Sequence, residues 1–210
     1  SIAYQKAIDI APERHEALLG MARVMSQLGH PEDARKAWED AMAAAAKSKT
    51  PQETQRQMAL MMGRYWMELG QLQDALSCFD LTLRLTPNDL KDERAEVLLD
   101  AAVCSLRLGD KTRGQQLLSL ASATESLPTL LRLSSLSVRN GFPDEAIQVM
   151  ERATEMHPDS VEAWAGLAHV QAECWQMDAA LTSVAKLESL GGNDTVPAMK
   201  AYIAGRLGNI

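Results

Sequence analysis

His169 and Glu173 have the side-chain types and the spacing that most directly suggest chemistry, because they lie four residues apart. In a helix that spacing places both side chains on one face, where an imidazole and a carboxylate can begin a metal site. A complete site needs two further ligands, and the nearest cysteine, Cys174, lies one residue off the shared face. We therefore interpret the two side chains as a solvated pair and predict no metal site.

No other arrangement of reactive residues indicates catalysis. The other three histidines are scattered, and Cys78, Cys104 and Cys174 are too widely separated to predict a disulfide framework or a zinc pattern. A catalytic site needs a convergent nucleophile, base and orienting group, and the sequence has no GxSxG, P-loop, HExxH or GxGxxG motif. We predict no catalytic residues, no cofactor and no enzymatic activity within these residues.

The composition excludes two classes of partner. The net charge of -7 argues against nucleic acid, because a phosphate-binding surface needs clustered lysine and arginine. No apolar run approaches the ~18 residues of a membrane-spanning helix, so we predict no membrane insertion. Aromatic residues make up only 4% of the chain and Ala, Leu and Met dominate, a mixture that favours helices over strands.

The elements that position these side chains recur along the chain. A small residue early in the second helix of each unit occurs at Ala34, Ala75, Gly114, Ala146 and Ala180. A glycine that would end the first helix precedes the first four of these by five residues, at Gly29, Gly70, Gly109 and Gly141. Self-similarity at about 34 residues predicts an array of helix pairs, each burying its apolar face on the next pair.

On these residues the sequence resembles the tetratricopeptide repeat (TPR) family over essentially its whole length. A large apolar residue follows each small one by four positions, at Trp38, Phe79, Leu118, Met150 and Val184, and residues 56–89 match best. The resemblance implies an all-α fold, an α-α superhelix built as a right-handed solenoid of TPR-like helix pairs. We predict a single solenoid with a half repeat at 1–14, repeats at 15–55, 56–94, 95–126, 127–160 and 161–194, and a half repeat at 195–210. Because both ends are half repeats, we expect a fragment of a longer chain.

Three departures from the repeat pattern predict local differences. The extra residues 47–55 should lengthen the helix that starts near Pro51 and the helix before it. Residues 89–94 should lengthen a later first helix in the same way. The fifth unit has Trp175 at the turn position where the other units have glycine.

The resemblance also implies a binding surface, because the first helices of TPR units line a concave groove that holds ligands. The outward positions carried over to this sequence are Leu19, Arg23, Leu60, Arg64, Met67, Leu99, Val103 and Leu131. Val138 is a further outward position, and Arg107, Arg132 and Arg139 lie nearby. Some family members bind chaperone C-terminal tails with lysines at positions that are leucine here, so that partner class is disfavoured.

We predict a protein–protein interaction scaffold that binds an apolar or amphipathic peptide or helix of a partner protein in this groove, with acidic groups meeting the arginines. One alternative is that the apolar positions pack inside the protein or against a missing segment. A second is a self-assembly module that forms a homo-oligomer. A third is a targeting or regulatory arm of an enzyme whose catalytic domain lies outside this fragment. The sequence does not assign a cellular location, although a cytoplasmic one is slightly favoured.

Overall fold

The computed structural model describes residues 15–47, 50–192 and 194–208, so the predicted N-terminal half repeat lies outside the described residues. Within the described ranges the regular structure is helical throughout, which confirms the all-α fold class. The helices are α1 (His15–Gln27), α2 (Pro31–Lys47), α3 (Gln52–Glu68), α4 (Leu72–Leu85), α5 (Lys91–Arg107), α6 (Lys111–Ala121), α7 (Leu127–Arg139), α8 (Pro143–Met156), α9 (Val161–Glu173), α10 (Met177–Ser189) and α11 (Val196–Leu207).

The insertions in the sequence lengthen particular helices. Helices α2, α3 and α5 each have 17 residues, whereas the others have 11 to 14. Helix α3 therefore begins at Gln52 and α5 at Lys91, a few residues before the starts predicted for their repeats. The added residues extend these helices at their N-terminal ends, where Glu53 and the pair Asp92 and Glu93 interact favourably with the helix dipole.

The chain forms two compact units, one ending at Met61 and one beginning at Met62, and the division falls within α3. In the first unit, α1 packs against α2. The small residues Ala22 on α1 and Ala34 on α2 have no exposed surface. Small side chains at such positions let helix axes approach closely.

The second unit is built in two layers. The first helices of successive pairs contact one another in the order α5, α7, α9 and α11, and each of α5, α7 and α9 packs against the second helix of its own pair. Ala75, Ala146 and Ala180 have no exposed surface. A Cβ added at Gly114 would lie 2.5 Å from a Leu106 methyl carbon. The repeated small residues are therefore required by packing between helices.

The turn inside each helix pair has the same backbone conformation whether or not it contains glycine. Gly109 and Gly141 have φ angles of 86° and 83°, and Trp175 has a φ of 62° at the equivalent position. The Trp175 amide donates to the Ala172 carbonyl at 3.2 Å, as the Gly141 amide donates to the Val138 carbonyl at 3.1 Å. The hydrogen bonds that close the turn thus hold a tryptophan in the left-handed region, which costs a residue with a Cβ about 1–2 kcal/mol.

Candidate partner-binding groove

The structure separates the eight predicted groove residues into buried and accessible ones. Leu19 and Leu99 are buried, at 9% and 0% exposed, so both pack inside the protein and neither presents a surface to a partner. Leu60, Met67, Val103 and Leu131 are half-buried, and Arg23 and Arg64 are exposed. Leu19, Arg23 and Leu60 belong to the first unit and the other five to the second. Leu99 is buried because α5, which carries it, packs against α4, α6 and α7 at once.

Charged residues on the first helices of the second unit form a ladder of ion pairs. Arg64 Nε donates to Asp100 Oδ2 at 2.9 Å, and Arg132 Nη2 lies 3.5 Å from Asp100 Oδ1. Arg132 also pairs with Glu96, which accepts a hydrogen bond of 2.7 Å from the Thr129 hydroxyl. The Asp100 side chain is only 7% exposed, and both of its oxygens are engaged. Two of the arginines expected to meet a partner therefore already have carboxylate partners within the chain.

The ladder ends at Gly166, and a cavity opens there between α7 and α9. Gly166 occupies the repeat position of Asp100 and Arg132 but has no side chain to continue the row. The cavity has a volume of about 250 Å³. It is lined by Leu131, Ser134, Ser135, Val138, Arg139, Gly166, His169, Val170 and Glu173. A Cβ added at Gly166 would lie 2.5 Å from a Leu131 methyl carbon, so any side chain there would push Leu131 aside.

The charges around this cavity are unevenly compensated. Glu173 accepts hydrogen bonds from the Tyr202 hydroxyl and from Arg206, whose Nη1 lies at 3.3 Å. His169 does not hydrogen-bond to Glu173, and its ring centroid lies 5.1 Å from that of Tyr202. Arg139 is exposed, and its guanidinium makes no hydrogen bond or ion pair with any residue that the structure describes. The cavity therefore has one compensated carboxylate and one uncompensated guanidinium at its rim.

The spacing of His169 and Glu173 suggested the beginning of a metal site, but in the structure His169 contacts Tyr202 and Glu173 binds Tyr202 and Arg206. Within the described ranges, no three His, Cys, Asp or Glu side chains cluster in a way that could hold a metal ion. Burial raises the pKa of the Cys78 thiol to about 12 and that of the Cys104 thiol to about 11, with smaller contributions from Asp74 and Asp100. A nucleophilic thiol needs a lowered pKa, so these two cysteines are packing residues.

A second cavity lies between the second helices α6 and α8. It has a volume of about 200 Å³, and α7 contributes Ser137 to its lining. The Ser137 hydroxyl is buried and has no hydrogen-bond partner. A hydrogen bond from Gln115 to Glu145 and one from Arg152 to the Ser122 carbonyl bridge α6 and α8 beside this cavity.

The sequence distributed the predicted groove over the first helices of four units and did not indicate the α7–α9 cavity. A signal was present, because Ser135 and Gly166 are small at outward positions where earlier units have Val103 and Asp100. Two consecutive first helices with small outward residues leave a volume that Leu131 fills only in part.

Comparison with known proteins supports the same fold. Residues 127–170, which cover α7, α8 and most of α9, match a family model described as a tetratricopeptide repeat. No curated protein matches the chain by sequence. Together with the helix pairs of the second unit, this match confirms the resemblance to the TPR family and defines the fold as a solenoid of TPR helix pairs.

Solved structures place the chain among TPR-type folds at low sequence identity. YrrB, described as a TPR protein with an unusual peptide-binding site, has a TM-score of 0.53 and 16% identity, covering 95% of this chain and 98% of its own. BtubC (BKLC) from P. vanneervenii has a TM-score of 0.55 and 16% identity, with coverages of 91% and 86%. MamA has a TM-score of 0.53 and 16% identity, with coverages of 85% and 92%. At these identities the likeness concerns the fold alone. No helix in the described residues is both long and apolar enough to cross a membrane.

Proposed function

We propose that the protein is a non-catalytic scaffold that binds a peptide segment of a partner protein across α7 and α9. The observation that carries this proposal is the cavity between these two helices, which includes the predicted groove residue Leu131. The fold supports it, and a TPR protein of similar fold is described as having a peptide-binding site.

The cavity suits an apolar side chain. Leu131, Val138 and Val170 supply apolar walls, and the volume of about 250 Å³ exceeds the ~150 Å³ of an apolar cavity that holds benzene. Both walls are helices, so little ordering free energy is lost when a ligand binds. A single large apolar anchor in such a cavity typically dominates the binding energy of a peptide.

Leu131→Asp tests the proposal against a matched control. A carboxylate in the cavity would have to be desolvated by an apolar anchor, so partner binding should fall at least about tenfold. The control is Leu181→Asp, because Leu181 is an exposed leucine on the second helix α10. Both variants should keep the helicity of the parent protein by circular dichroism, and only Leu131→Asp should lose binding.

The place of contact can be found directly with a photoreactive side chain. Benzoylphenylalanine at Ser135 should crosslink the partner peptide, whereas the same group at Gln148, in the α6–α8 cavity, should not. Crosslinking at Gln148 alone would move the binding surface to the second helices. Crosslinking of the protein to itself at Ser135 would favour the self-assembly alternative.

A further inference from the structure

We infer that the partner segment carries an internal acidic side chain beside its apolar anchor, and that Arg139 binds the carboxylate. This inference rests on the proposed function and adds the chemistry of the partner. It follows from a difference among the arginines of the first helices, because some already pair with a carboxylate of the chain and others do not.

Arg64 and Arg132, the arginines in the middle of the first-helix layer, already form ion pairs within the chain. Arg64 and Arg132 are held by Asp100 and Glu96, so a partner carboxylate would have to displace an existing ion pair to reach either guanidinium. Arg107 and Arg139 occupy equivalent places at the ends of α5 and α7, and their guanidiniums make no ion pair with any residue described in the structure. Of these two, only Arg139 lines the cavity between α7 and α9.

The other charged group at the cavity does not cancel Arg139. Glu173 lines the same cavity, but its carboxylate is bound by Tyr202 and by Arg206 from α11. Arg206 is held in turn, because its Nη2 donates to the Glu173 carbonyl at 3.0 Å and its guanidinium lies 4.7 Å from the Trp175 ring centroid. The rim therefore presents a net positive charge beside apolar walls, which is complementary to an acidic group next to an apolar one.

An arginine in this setting favours a carboxylate. A guanidinium can bind a carboxylate through two parallel hydrogen bonds, and the pair strengthens where apolar neighbours exclude water. Val138 lies next to Arg139 in the lining and contributes such an apolar neighbour. His169 adds a second possible donor on the opposite wall of the cavity.

The carboxylate belongs to a side chain within the partner segment and not to a chain terminus. First helices continue on both sides of the cavity, with α5 packed against α7 and α11 against α9. A peptide laid across this layer thus meets further helix surface in both directions and has no reason to end at Arg139. A free C-terminal carboxylate is the competing source that the experiment must separate.

The test uses a display library of random short peptides flanked on both sides by Gly-Ser segments, so that no free terminus enters the cavity. Peptides selected on the unaltered protein should be enriched in Asp or Glu at a fixed distance from a large apolar residue. Selection on Arg139→Glu should lose this enrichment and favour Lys or Arg. The control Arg107→Glu, which reverses the charge at the equivalent place on α5, should select the same acidic peptides as the unaltered protein.

Measured affinities complete the test. Replacing the acidic residue of a selected peptide by its amide should weaken binding about tenfold to the unaltered protein and have little effect on Arg139→Gln, as expected for a direct pair. Arg139 is exposed, so both Arg139 variants should keep the parent melting temperature.

Each outcome separates this inference from the proposed function. If Arg139→Glu still selects acidic peptides, Arg139 does not bind the carboxylate, and the inference is overturned. The groove proposal stands in that case provided that Leu131→Asp abolishes binding of the same peptides. If peptides with a free C-terminus bind better than their capped forms, the source of the carboxylate is the terminus and the inference is again overturned. If no peptide is selected, or if Leu131→Asp binds them all equally well, the groove proposal fails and the inference fails with it.

Discussion

At the scale of a single residue, Trp175 is the point where the chain departs most from its own pattern. The turns at Gly109 and Gly141 have a positive φ that glycine adopts without strain, and Trp175 adopts nearly the same angle with a bulky side chain. Its strain of about 1–2 kcal/mol exceeds the ~0.5–1 kcal/mol expected from an exposed cation–π contact. Because the Arg206 contact does not offset the whole strain, the turn is less stable than its glycine equivalents.

We therefore expect Trp175→Gly to stabilise the protein by up to about 1 kcal/mol despite losing the contact with Arg206. The reciprocal control is Gly141→Trp, which introduces the same side chain at a left-handed turn and should destabilise by about 1–2 kcal/mol. Urea unfolding of the two variants measures both effects. A destabilised Trp175→Gly would mean that the contacts of the indole outweigh the backbone strain.

At the scale of the elements, side-chain size could be read from the sequence more reliably than side-chain partners. The small residues Ala75, Ala146 and Ala180 occupy the same place in their units, and all are fully buried. The ladder could not be predicted in the same way, because Arg64 and Asp100 are 36 residues apart and lie on different helices. Periodicity within one helix shows which face a residue occupies, but not which neighbour it meets across the layer. For that reason Leu99 was expected on the groove surface, and Arg64 was expected to meet an acidic group of a partner rather than Asp100.

The packing role of the small residues gives a second prediction at this scale. Ala146 on α8 has no exposed surface, so Ala146→Leu should overpack the contact and destabilise by about 1–3 kcal/mol. Glu151 on the same helix is exposed, and Glu151→Ala should change stability by no more than about 0.5 kcal/mol. Thermal unfolding distinguishes the two, and equal effects would show that the repeat register is misassigned.

At the scale of the whole molecule, the buried thiols link stability to pH. Cys78 and Cys104 lie in the second unit, and burial raises their thiol pKa from 9.0 to about 12 and about 11. Unfolding releases these protons once the pH exceeds about 9, so the unfolded state gains stability relative to the folded one. Stability should be unaffected by these thiols below pH 9 and should fall by up to about 1.4 kcal/mol per pH unit for each thiol above it.

Denaturant unfolding at several pH values between neutral pH and about 11, the pKa of the Cys104 thiol, measures this slope. The double variant Cys78→Ala and Cys104→Ala should start less stable because its core has lost volume, but its stability should fall less steeply above pH 9. The quantity to compare is the slope of stability against pH, because lysine and tyrosine titrate in the parent protein and in the variant alike. Identical slopes would show that the two thiols do not carry the alkaline loss of stability.

The absence of a side chain at Gly166 has a consequence for how such an array acquires specificity. At the same position Asp100 and Arg132 form ion pairs between neighbouring first helices, whereas Gly166 forms none and Leu131 packs against its backbone. One position in the repeat thus decides whether neighbouring first helices are joined by ion pairs or have a cavity between them. A charged residue placed at Gly166 would therefore do two things at once, because it would supply an ion-pairing group and displace Leu131 from the cavity wall.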